Sequence, residues 1–99
     1  MHTYIKDLFA QKRPLISFEV FPPKKDADIE DIYSALGQMA KLSPGFISVT
    51  YGAGGSGSSN MTVEIASKIQ DEHNVCALAH LTCIGAEKES LRRLIAQMK

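Results

Sequence analysis

The 99-residue sequence has no tryptophan and only two cysteines, Cys76 and Cys83. A small secreted scaffold held by disulfides needs more thiols than that. Both cysteines sit in one apolar stretch, which predicts buried small residues in a reducing cytoplasm. Their spacing is not that of a chelating pair, so no metal site is expected. An excess of charge is missing as well: eleven basic and eleven acidic residues cancel. The chain therefore lacks the electrostatic footprint of a nucleic-acid or anionic-membrane binder. No apolar run approaches the ~20 residues that cross a bilayer. The stretch Met1–Arg13 mixes Lys6, Asp7, Lys12 and Arg13 with apolar residues and has no apolar h-region of a secretory signal. No linker divides the chain; the Gly/Ser segment 52–59 reads as a functional loop inside one unit spanning residues 1–99.

What is present is a repeated pattern. Leu15–Phe21, Phe46–Tyr51 and Val75–Cys83 are short stretches rich in β-branched, aromatic and aliphatic residues, and each predicts a buried strand. Helical spacing links them. Ile29, Ile32, Tyr33, Leu36, Met39 and Ala40 form one stripe, with Asp26 or Asp28 as its cap and Ser43-Pro44-Gly45 as its stop. Ile65, Ala66 and Ile69 form a second after Asn60, a candidate N-cap, and Leu91, Leu94, Ile95 and Met98 a third. Tyr4, Ile5, Leu8 and Phe9 predict a short leading helix. The order is α followed by three βα units, with the roughly thirty-residue period of parallel strands joined by crossovers. A doubly wound open sheet and the start of a (βα)8 barrel both satisfy it.

Strand parity favours the barrel. Ser17 and Glu19 share a face, as do Ser48 and Thr50, and as do Leu78, His80 and Thr82. Strands covered by helices on both faces should be apolar on both. A polar-bearing face on every strand fits a barrel interior, and it places Glu19, Thr50 and His80 side by side at the carboxyl-terminal mouth, where barrel enzymes carry their chemistry.

Gly52-Ala53-Gly54-Gly55-Ser56-Gly57 matches G-x-G-x-x-G after a strand. It follows the second strand instead of the first, its helix starts several residues late, and no acid ends the next strand to bind a ribose. It also lacks the lysine of a phosphate-binding P-loop. It reads as a βα loop, or as backbone lying close to a flat cofactor that side chains would block.

Three motifs stand in order: Ser17-Phe18-Glu19-Val20-Phe21-Pro22-Pro23-Lys24, Ser48-Val49-Thr50-Tyr51-Gly52-Ala53 and His80-Leu81-Thr82-Cys83. At the ends of successive strands, they resemble the methylenetetrahydrofolate reductase family from about Pro14 onward. The resemblance implies the first three βα units of a (βα)8 barrel of ~250 residues, preceded by a short helix. It implies bound FAD, with NAD(P)H and methylenetetrahydrofolate as small-molecule substrates, and a homo-oligomer for the full-length enzyme. By the same resemblance, Glu19 is the catalytic acid that protonates the bridging folate. Thr50 lies beside nicotinamide and flavin, and Tyr51, Ala53 and His80 contact the flavin.

The residues also have plainer readings. Glu19 suits an ion pair with Lys24 or Lys25 at a rim; its apolar flanks suit desolvation that keeps a carboxyl group protonated. Thr50 suits β-propensity alone. His80 suits a hydrogen-bonded core position, and Tyr51 suits packing. His2 and His73 read as surface residues.

Overall fold

The computed structural model describes residues 3–24, 28–51 and 59–99. Along the chain run α1 (Ile5–Phe9), β1 (Ser17–Val20), α2 (Ile29–Ala40), β2 (Phe46–Val49), α3 (Ser59–Glu72), β3 (Cys76–Ala79) and α4 (Lys88–Met98). The strands form one parallel sheet in the order β1-β2-β3. The fold is α/β, with the βα repeat that the spacing predicts, and it is compatible with part of a barrel.

One face of the sheet carries the core. Val20, Ile47 and Val49 are buried there against Leu36 of α2 and Ile65 and Ile69 of α3, with Phe18, Ile32, Tyr33, Met39 and Ala77 packed around them. Burial of this apolar surface is the main force holding the helices to the sheet. The stripe on α2 does what its spacing predicts: Leu36 is fully buried at its centre.

The strands are shorter than their apolar runs. β1 stops at Val20 because Phe21 is followed by Pro22 and Pro23, which have no N–H to donate. β3 ends at Ala79 and leaves His80–Cys83 beyond the paired segment. At the amino end, the Gly45 N–H donates to the Ile16 carbonyl at 2.8 Å. A Cβ at Gly45 would displace the Leu15 side chain, so the close approach of the chain before β2 to the chain before β1 favours glycine. The chain leaves α2 through Ser43 in the left-handed region (φ 53), and Pro44 then bars further helix.

Several expectations about caps and exposure are corrected. Asp28 precedes α2 but makes no side-chain capping bond, and Asp26 lies outside the described residues. Asn60 is within α3, which already begins at Ser59. Cys83 is exposed and not buried, because it lies beyond the sheet. His73 is not a free surface group: it closes the carboxyl end of α3, and its Nε2 is buried. Ile95 is largely exposed although it lies in the α4 stripe, because Leu94 takes the buried position.

The leading helix α1 lies at the amino end of the other face. Phe9 meets Phe46 of β2 edge-on, with ring centroids 6.2 Å apart, and the Cys76 thiol donates to the Thr3 carbonyl at 3.2 Å. Phe46 and Cys76 occupy the first level of that face, paired with Ser17. The helix covers this level and leaves the carboxyl-terminal levels open.

Two measurements test the packing. Ile47→Ala should lower stability by about 2–5 kcal/mol, read as a reduced urea midpoint at unchanged m-value. Burial also pushes the Cys76 thiol pKa up, so less of it is thiolate at mildly alkaline pH. Alkylation at pH 8 should therefore modify Cys83 before Cys76; equal rates would show that α1 does not shield this level.

Candidate functional site

Register decides which side chains meet. Glu19 pairs with Ser48, and Ser48 with Leu78, so these three share one level of the uncovered face. One level further on, by alternation, come Phe21, Thr50 and His80. Glu19 and Ser48 are thus neighbours across adjacent strands, while His80 reaches Glu19 from the level above.

The contacts follow from this. The Ser48 hydroxyl donates to Glu19 Oε1 at 3.0 Å. His80 Nε2 lies 3.6 Å from the same oxygen. The Ser48 residue is 6% exposed, whereas the Glu19 and His80 side chains are 46% and 40% exposed. Leu78, 37% exposed, supplies an apolar surface on the same level. Beyond it, the buried Thr82 Oγ1 has no hydrogen-bond partner among the described residues. An acid, an imidazole and a hydroxyl thus converge on one point at the carboxyl ends of parallel strands.

Two expectations about Glu19 change. Its partners are Ser48 and His80, and Lys24 makes no ion pair with it; Lys25 lies outside the described residues. The apolar neighbours in sequence do not enclose it either, because alternation turns Phe18 and Val20 to the opposite, helix-covered face. Thr50 lies on the open face, one level above Glu19 instead of beside it. Tyr51 takes the opposite parity: it lines a cleft of about 200 Å³ with Ala86, Ser90, Leu91 and Leu94, on the α4 side. Ala53 and the glycine run 52–57 lie outside the described residues. Among the described residues no group of three or more His, Cys, Asp or Glu is placed to hold a metal, and no helix is long and apolar enough to cross a membrane.

One supporting residue is not evident from the motifs. The Thr62 hydroxyl, fully buried on α3, donates to the Thr50 carbonyl at 3.0 Å. In a parallel ladder that carbonyl would accept from the residue after the partner of Thr50. The Thr50 N–H bonds the Val20 carbonyl, so that residue is Pro22, which has no N–H. Thr62 supplies the missing donor and ties α3 to the end of β2. The signal was Pro22 itself, but it can be read only once the register is known.

Acidic and imidazole groups gathered at the carboxyl ends of parallel βα strands define an α/β enzyme site. The sequence model of the methylenetetrahydrofolate reductase family matches residues 4–99. The chain is 40% identical over 84 residues to a 5,10-methylenetetrahydrofolate reductase of Pectobacterium carotovorum, a match covering 85% of this chain and 28% of that protein. To the enzyme of the same name from Escherichia coli K12 it is 38% identical, over 80% of this chain and 26% of the relative. A rice protein named probable methylenetetrahydrofolate reductase (NADH) is 33% identical over 96% of this chain and 16% of its own length. The chain belongs to the methylenetetrahydrofolate reductase family, a family of oxidoreductases, and these matches span less than a third of each relative.

The Thr62 contact predicts a selective loss. Thr62→Val, which keeps the volume but leaves the Thr50 carbonyl without its donor, should cost about 1–3 kcal/mol in denaturant unfolding. Thr62→Ser, which keeps the hydroxyl, should cost less. Equal losses would assign the effect to packing of the methyl group.

Proposed function

We propose that this chain is the N-terminal portion of the catalytic domain of an FAD-dependent enzyme that reduces 5,10-methylenetetrahydrofolate to 5-methyltetrahydrofolate with electrons from NAD(P)H. The work belongs to cytoplasmic one-carbon and methionine metabolism, and the full-length enzyme is a homo-oligomer. The three βα units are the first three of a (βα)8 barrel whose other units complete the mouth. Support comes from the family membership and, above all, from the meeting of Glu19 with Ser48 and His80 on the face that the helices leave open.

The residues present suit a flat heteroaromatic cofactor. Half-exposed Leu78 offers an apolar surface, His80 a polar edge beside it, and the Thr82 hydroxyl, without a partner among the described residues, a donor and acceptor. Thr50, Ala53 and His80 would hold the flavin, with Thr50 also facing the nicotinamide, while Tyr51, whose side chain turns to the α4 side, would meet the flavin through its backbone alone. Bound there, the flavin supplies the hydride chemistry.

Glu19 supplies the proton. Its carboxyl group is held at one oxygen by Ser48 and is open enough for a substrate to reach. It would donate to the bridging nitrogen of methylenetetrahydrofolate, which makes that nitrogen a better leaving group. His80 Nε2 lies 3.6 Å from the same carboxyl oxygen and so brings a second polar group beside the acid.

Purified together with the rest of its barrel, the protein should be yellow and should bleach on addition of NADH or NADPH. A full-length protein that neither carries nor takes up flavin would end this reading. In it, Glu19→Gln should spare flavin reduction by the nicotinamide while slowing folate reduction by roughly 10²–10⁴-fold, the range typical of general-acid catalysis. Equal loss in both half-reactions, followed by stopped-flow absorbance, would remove Glu19 from the acid role.

A further inference from the structure

Ser48 holds Glu19 at a single oxygen, and which oxygen it holds matters. It is 6% exposed, on the central strand, and its hydroxyl donates to Glu19 Oε1 at 3.0 Å. His80 Nε2 faces that same oxygen at 3.6 Å. Glu19 Oε2 has no partner among the described residues.

A protonated carboxyl group is asymmetric: its carbonyl oxygen only accepts, and its hydroxyl oxygen donates. We propose that Ser48 is a positioning residue that makes Oε1 the carbonyl oxygen of Glu19 and so places the transferable proton on Oε2. This rests on the reading of Glu19 as the acid. The opposite arrangement is disfavoured by burial. With the proton on Oε1, Ser48 would have to accept it, and the hydrogen of a serine that is itself nearly buried would be left without its acceptor. A charged imidazole at His80 opposes that arrangement too, since both of its ring nitrogens are donors. His80 is beyond hydrogen-bond distance, so Ser48 carries the orientation. In the reaction, the Oε2–H bond breaks, the proton passes to the substrate nitrogen, and the carboxylate left behind keeps the Ser48 hydrogen bond on Oε1.

Infrared spectroscopy of the intact protein reads the carboxyl group directly. At a pH low enough to protonate Glu19, the carbonyl-stretch band that Glu19→Gln removes belongs to Glu19. In Ser48→Ala this band should move to higher wavenumber, because the carbonyl loses its donor, and Ser48→Thr should keep it in place. A band that stays put in Ser48→Ala overturns the proposal. In turnover, Ser48→Ala should lower kcat for folate reduction about tenfold, the size expected of one hydrogen bond. KM should hold, flavin reduction should show no matching loss, and Ser48→Thr should restore the rate. If Glu19→Gln cripples folate reduction and Ser48→Ala does not, the Ser48 role fails alone. If Glu19→Gln leaves folate reduction intact, the acid reading fails, and the band still reports on Ser48.

Discussion

The carboxyl end of the sheet takes its chemistry from the parallel ladder between β1 and β2. That ladder is four residues long, and its register sets Glu19 opposite Ser48. A slip by one residue would turn Glu19 to the helix-covered face and bring Val20 or Phe18 out in its place. The register is held from both faces. On the covered side, Val20, Ile47 and Val49 are buried against Leu36, Ile65 and Ile69, and no polar group could take their places without cost. On the open side, Phe9 seats on Phe46 at the first level and marks where the polar levels begin. The core and the site are therefore the two faces of one constraint.

The same geometry explains why the site is only partly enclosed within these residues. β1 and β3 are both edges of the described sheet, and the face between them is covered by α1 at its amino end alone. Ser48 is buried because it lies on the central strand, flanked on both sides. Glu19 and His80 lie on or beyond edge strands and are correspondingly half-exposed. Relatives more than three times as long than the matched segment have the chain needed to flank those edges.

The face of each candidate residue was legible in the sequence, because side chains alternate strictly along a strand. Ser17 with Glu19, and Ser48 with Thr50, needed no more than counting. The level was not. Polar faces shared at the carboxyl-terminal mouth set Glu19, Thr50 and His80 side by side, whereas the ladder sets Glu19 beside Ser48 and raises Thr50 one step. Alternation carries parity and no height; height comes from how the crossovers seat one strand against the next. Thr62 was hidden for a related reason. Its value as a donor depends on Pro22 standing where the ladder needs an N–H, and forty residues of chain separate the two. The α2 stripe was legible down to its central Leu36, because a 3.6-residue period and one buried face leave little freedom. Cys83 misled because an apolar run does not show where pairing stops: β3 ends at Ala79, and the residues after it climb out of the sheet.

A hydroxyl on the central strand of a small sheet carries an energetic liability. Buried without a partner, it would cost on the order of 1–3 kcal/mol, and a valine there would avoid that cost. Ser48 escapes the liability through Glu19, whose carboxyl oxygen it bonds. Among the described residues, Glu19 in turn has only that bond and the nearby imidazole to hold a flexible side chain in place. Each residue makes the other tolerable, so neither reads as an isolated substitution on a fold that would prefer an apolar interior. This reciprocity ties the stability of β2 to the orientation of the acid. It also accounts for a polar level persisting through the middle of a sheet whose opposite face is wholly apolar.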